Sequence, residues 1–314
     1  MNKRDFLPVS SEKPIRTENL TQKRPMTVCI AAICQNEVIV MASDRMLTGN
    51  GDIEFESSET SSGDSFVIKV TPVNSKKSIA VMMAGHTSLQ TEIVNELIHT
   101  VYDTEQKNQK TWSVKEVVNL HIEVYNKIRS KRAEIAILSP FGLTMEKFLA
   151  EQKNLSDSFI EKVRSDISTF QLDAIETNIV GHDDFGPHIY TLYGNRPICC
   201  DGFGFTAIGT GAKHAESQFM LNGYSRIVPQ EDALWMVYMA KRKSEIAPGV
   251  GKATDLFVMT REKGFKVFNA IIEMNHFDAI YETFQASQKA AFHLSETQIK
   301  ALLEREKEKF LNAD

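Results

Sequence analysis

Three residue types in three neighbouring apolar runs carry the chemistry this sequence could offer. Thr27 opens the run Thr27-Val-Cys-Ile-Ala-Ala-Ile-Cys34, Asp44 ends Val38-Ile-Val-Met-Ala-Ser-Asp44, and Lys69 lies within Phe66-Val-Ile-Lys69-Val70. A threonine hydroxyl is a poor nucleophile unless a base sits beside it, and at a chain terminus its own α-amino group is that base. The ordinary pKa of such an amine, about 7.7–8.0, leaves a usable neutral fraction at physiological pH. A cation such as Lys69 would favour the neutral amine and the ionised hydroxyl, and Asp44 would hold that cation in place. Gly85, closing Met82-Met-Ala-Gly85, has no side chain to block approach to its backbone N–H. Aimed at a developing oxyanion, such a donor is worth about 3–4 kcal/mol. Thr27 is preceded by 26 residues, so this chemistry requires that it be freed.

Other residues invite chemistry but have simpler readings. Cys29 falls two positions after Thr27, on the same face of a strand, where it could act as a rival nucleophile; a buried strand cysteine is ordinarily inert. His182-Asp-Asp-Phe-Gly-Pro-His188 holds metal-ligand types, yet its Asp, Gly and Pro also stand where a hairpin turn needs them. His121 lies on the apolar stripe of a helix and reads as a satisfied core histidine. Thr210, between Gly209 and Gly211, reads first as part of a tight strand-to-helix turn.

The elements that must position these residues follow from periodicity. Residues 27–34 and 38–44 are strand-like and apolar on both faces, with Gln35-Asn36-Glu37 as the turn. Residues 47–64 read as a turn-rich loop, and short strands follow at 66–71 and 78–84. Thr87 or Ser88 can cap a helix with Leu89, Ile93, Leu97 and Val101 on one stripe. Ser113-Val-Lys-Glu116 is a capping-box pattern for the next helix. Residues 139–174 are polar, helical in character and read as an insertion. Strands are expected at 175–183, 188–193, 198–201 and 203–208, then a helix to about residue 222 and another from Pro229. Strands at 255–260 and 265–273 precede a charged C-terminal helix over 276–313, with Ser295-Glu-Thr-Gln298 capping its last part. This order suits two packed antiparallel sheets between helical layers.

Composition bounds the rest. The chain has 314 residues, 42% hydrophobic and 25% charged, as in ordinary soluble globular proteins. No apolar run approaches the roughly 20 residues of a membrane helix. The first 26 residues carry six Lys/Arg against three Asp/Glu and no apolar core, which is not a secretory signal. A net charge of −5 gives no reason to expect nucleic acid or an anionic membrane as partner. Cys29, Cys34, Cys199 and Cys200 form no C-x-x-C pair, so zinc and redox motifs lack support and a reducing cytoplasm is the expected compartment.

Taken in order, these segments resemble the β-type proteasome subunits and their bacterial HslV-like relatives. The opening hairpin from Thr27 to Asp44-Arg45, the strand with Lys69, Met82-Met-Ala-Gly85 and Ile208-Gly-Thr-Gly-Ala212 carry the resemblance, over about residues 27–273. It implies an α+β fold, a four-layer αββα sandwich of two antiparallel sheets, with Thr27, Asp44 and Lys69 catalytic and Gly85 at the oxyanion. It also implies supporting roles for Thr210 and Glu245, a place for Met83 in the specificity pocket, and no metal or organic cofactor. A threonine-type peptidase acting on peptide or protein substrates, assembled as a homo-oligomeric ring with an unfoldase partner left open, is the expectation. Residues 1–26 would be a leader or propeptide, 27–275 the hydrolase domain and 276–314 a helical extension. Alternatives are a structural, ring-forming subunit without activity and an amidase acting on a non-peptide substrate. The chain departs from the family pattern where Asp44 falls one residue later, where the loop before Lys69 is longer, where Met26 stands in place of glycine, and where Glu245 and Pro248 replace the second aspartate and its neighbours. Met26 could itself be a translation start, whose removal would expose Thr27.

Overall fold

The computed structural model describes residues 26–48, 54–56, 69–108, 110–267 and 274–311. Strands β1 (Cys29–Cys34) and β2 (Val38–Asp44) are buried at every residue. Gln35 and Asn36 turn between them with φ of 53° and 55°. The two faces of this hairpin meet different partners, which explains why both had to be apolar. Cys29, Ala31, Ile33, Ile39 and Met41 pack into a core between two sheets. Val28, Ile30, Ala32, Cys34, Val38, Val40 and Ala42 pack into a second core, shared with helices.

The remaining strands among the described residues are β3 (Met46–Thr48), β4 (Glu54–Glu56), β5 (Val70–Pro72), β6 (Ile79–Gly85), β7 (Ile175–Asp183), β8 (Gly186–Tyr193), β9 (Arg196–Cys199), β10 (Phe205–Ile208), β11 (Thr254–Thr260) and β12 (Gly264–Val267). One five-stranded sheet has the order β10-β1-β2-β11-β12 and the other β5-β6-β7-β8-β9, both antiparallel throughout. The protein is therefore α+β with two antiparallel sheets, as expected from the sequence.

Seven α-helices accompany them among the described residues. α1 (Thr87–Asn108) buries Leu89, Ile93, Leu97 and Val101, and α2 (Val114–Ala133) opens with the reciprocal Ser113–Glu116 capping box. Both cover the second sheet through Val81, Met83, Ile175 and Ile179. α3 (Met145–Ala150) and α4 (Asp157–Thr169) close a small separate core around Leu138, Phe148 and Val163. α5 (Ala212–Leu221), α6 (Gln230–Ser244) and the start of α7 (Met274–Leu311) cover the first sheet.

Three local expectations need correction. The loop over 47–64 contains structure, because β3 pairs with β4 through Met46↔Glu56, Leu47↔Phe55 and Thr48↔Glu54. Glu56 also accepts the N–H of Ala253 at 2.7 Å, tying this ladder to the first sheet. The strand expected over 66–71 is observed as β5 from Val70; residues 66–68 lie outside the described residues, as do 1–25, 49–53, 57–65 and 268–273. Ser295 does not cap a new helix. α7 runs through it unbroken, and its hydroxyl donates to the carbonyl of Ala291 one turn earlier.

Candidate active site

Thr27, Asp44 and Lys69 meet at one end of the gap between the sheets. Strand alternation sends Thr27 to the same face as Cys29 and Ala31, toward the second sheet. Lys69 comes from the other side, immediately before β5, and Asp44 from the last position of β2. The Thr27 hydroxyl donates to Asp44 Oδ1 and accepts from Lys69 Nζ. Lys69 Nζ lies 2.8 Å from the same carboxylate oxygen, and both side chains of that ion pair are almost wholly buried.

The Asp44 carboxylate is saturated with donors. Oδ1 also accepts the N–H of Val28 at 3.0 Å, while Oδ2 accepts the N–H groups of Met46 at 3.1 Å and Gly251 at 3.0 Å. Charge-assisted bonds of this kind fix both oxygens, so the lysine and the hydroxyl are held by a rigid acceptor. Next to it, Arg45 is buried and pairs with Asp255 across the β2–β11 ladder at 2.9 Å through Nε. Neither side chain is a solvated strand end.

The threonine backbone is held equally closely. Its carbonyl accepts the N–H of Gly211 at 3.2 Å. Gly209, at φ +90°, passes so near that an added Cβ would lie 2.2 Å from that carbonyl oxygen. The N–H of Gly209 donates to Glu176 Oε2 at 2.7 Å, bracing this turn on β7. Thr210 directs its hydroxyl to the carbonyl of Pro248 at 3.0 Å and of Thr27 at 3.5 Å. Met26 rests on Gly249, whose added Cβ would lie 2.3 Å from the methionine Cβ.

The other expected site residues fall as follows. Gly85 closes β6 at φ +132°, and an added Cβ would meet the carbonyl oxygen of Ala174 at 2.3 Å, so only glycine fits. Met83 turns its side chain into the core under α1 and α2, with Leu89 and Ile93, while its carbonyl receives the Cys29 thiol at 3.7 Å. The Glu245 carboxylate binds Lys241 at 2.8 Å and Arg242 at 3.1 Å.

Lys241 is the residue the sequence reading missed. Its side chain is fully buried, and Nζ donates to Glu245 at 2.8 Å and to the carbonyl of Lys252 at 2.6 Å. Burial pushes its pKa down, opposed by Glu245 and by Asp44. Residues 251–253 are thus clamped in turn: the 251 N–H by Asp44, the 252 carbonyl by Lys241 and the 253 N–H by Glu56. The i,i+4 spacing of Lys241 and Glu245 was visible in sequence; Glu56 and Gly251 gave no signal, because their partners are distant in the chain.

The rival chemistries lose ground. Burial pushes the Cys29 thiol up to about 12, so it carries no thiolate at neutral pH. His188 sits between Asp183 at 3.1 Å and Asp201 at 2.7 Å, next to the hairpin turn, and no cluster fit to hold a metal exists among the described residues. His121 is buried as expected but not satisfied: neither ring nitrogen has a hydrogen-bond partner among the described residues. No helix there is long and apolar enough to cross a membrane. Compared with known proteins, the chain matches no family model and no curated protein.

Proposed function

We propose that this protein is an amide hydrolase that uses Thr27 as an N-terminal nucleophile once the residues before it are removed. The observation that carries the reading is the Thr27 hydroxyl held between the Lys69 ammonium and the Asp44 carboxylate at a buried end of two facing sheets. Within that class, the reading is a proteasome-like threonine peptidase on an αββα sandwich, acting on peptide bonds in the cytoplasm.

The freed α-amine would take the hydroxyl proton as Oγ1 attacks the scissile carbonyl. Lys69 would stabilise the negative charge developing on Oγ1, and Asp44 would keep Lys69 in register. The N–H of Gly85 would receive the oxyanion. Collapse, with the α-ammonium returning its proton to the departing nitrogen, would release the amine product, restore the neutral α-amine and leave an ester on Thr27. Water, deprotonated by the same α-amine, would then release the acid product and restore the hydroxyl. Thr210 and the clamped segment 248–253 would hold the turns around the amine, and assembly into a homo-oligomeric ring would enclose the site.

Turnover of fluorogenic peptides by protein beginning at Thr27, with Thr27→Ala as control, tests the proposal. Activity that the control lacks supports it. Peptides left intact while small amides turn over would select a non-peptide amidase. An inert protein beginning at Thr27 would select the structural subunit, a reading favoured by Met26 packed on Gly249 in the uncleaved chain.

A further inference from the structure

From Gln285 to Lys307 every residue of α7 is exposed, although this stretch carries Phe292, Leu294, Ile299, Leu302 and Leu303, each more than half accessible. Most helical stability in proteins comes from packing an apolar face, and exposed apolar side chains in such number mark an association surface. Nearer the body, Trp235 of α6 and Ala279, Ile280, Thr283, Phe284 and Ser287 of α7 line an apolar groove of about 520 Å³. Trp235 stands edge-on to Phe284 on its floor.

The groove and Leu294 of the exposed arm share one face of one helix. Ile280, Ser287 and Leu294 are successive heptad positions, so they project in nearly the same direction. The groove-forming Ile280 lies seven residues before Ser287 and the exposed Leu294 seven residues after it. Around the midpoint stand Ala286, Ser287, Ala290 and Ala291, small enough to let two helices cross closely. Charged Glu282, Lys289, Glu296 and Lys300 fall on the opposite side of the helix. A surface that carries a groove and a matching projection at equal distances from one point is complementary to itself under a two-fold rotation.

We infer that α7 is a homodimerisation helix, pairing antiparallel with α7 of a second copy about Ser287. Leu294 of each copy then enters the groove formed by Trp235, Ile280 and Phe284 of the other.

Sedimentation equilibrium of the full chain at tens of micromolar tests this. A dimer, or a larger assembly built from such pairs, is expected, with the pairing weakened at least tenfold in Leu294→Glu and circular dichroism unchanged. In a Cys199→Ser background, where the remaining cysteines are buried, Ser287→Cys should give a disulfide-linked dimer on oxidation with diamide. Lys289→Cys, on the other side of the helix, should not. A monomer overturns the inference, including one whose α7 is protected in hydrogen exchange by the chain's own N-terminal residues. So does a pairing affinity that Leu294→Glu leaves unchanged, or equal cross-linking through positions 287 and 289. These readouts do not depend on catalysis, so the dimer and the proposed activity stand or fall separately.

Discussion

The backbone N–H of Gly251 donates to Oδ2 of Asp44 at 3.0 Å, joining two residues 207 apart in sequence at one carboxylate. With that oxygen occupied, Oδ1 is left for Thr27 and Lys69. The geometry of the candidate nucleophile therefore depends on a segment far from it in sequence.

Lys241→Met tests that dependence. The substitution removes the donor to the Lys252 carbonyl and leaves Glu245 with Arg242. In protein beginning at Thr27, kcat is expected to fall about tenfold with KM within twofold, because an orienting contact is lost and the substrate surface is not. Glu56→Gln, which weakens the acceptor for the Ala253 N–H, should produce a smaller drop of the same kind. Equal kcat in both variants and the parent would separate the clamp from the chemistry.

Asp44→Asn strands the Lys69 ammonium in a buried site. Breaking a buried pair on one side costs about 3 kcal/mol or more, so urea unfolding should show that loss together with at least a hundredfold fall in peptide turnover. Thr27→Ala should abolish turnover while leaving stability within about 1 kcal/mol of Asp44-intact protein.

Gly209→Ala and Gly142→Ala form a contrasting pair. Both glycines have positive φ, +90° and +70°, but an added Cβ meets the Thr27 carbonyl at 2.2 Å in the first case and open space in the second. The first is expected to cost more than about 3 kcal/mol and the second about 1 kcal/mol, read as the difference in melting behaviour. Comparable losses would show that the turn at Gly209 yields readily.

His121 sets a pH dependence. Burial pushes its pKa down to about 4 from the ordinary 6.5. The unfolded chain then binds the proton first, so this contribution to stability is full above about pH 6.5 and is lost as pH falls toward 4. The loss over that window is about 3 kcal/mol. Denaturant unfolding of His121→Leu should show a correspondingly flatter decline between pH 7 and 4; an unchanged decline would place the acid sensitivity elsewhere.

Much of the fold was legible because local patterns carry it. The hairpin of β1 and β2, the capping box at Ser113, the stripe from Leu89 to Val101 and the strand-to-helix turn at Gly209 each depend on residues close in sequence. The β3–β4 ladder escaped because polar, turn-forming residues mask a three-residue strand. Ser295 misled because a serine within a long helix satisfies its hydroxyl on the preceding turn and looks the same in sequence as a cap.

By itself the sequence determined which residue types could act, Thr27, Asp44 and Lys69, and that two strands apolar on both faces must be buried on both. Tertiary structure alone decided that these three converge on one hydroxyl, that Glu245 pairs with Lys241 and Arg242, and that residues 251–253 are clamped around Asp44. Periodicity determines which face a residue occupies. Which distant face lies opposite is determined only when the sheets and helices pack, and there a single buried carboxylate can draw donors from four separate stretches of chain.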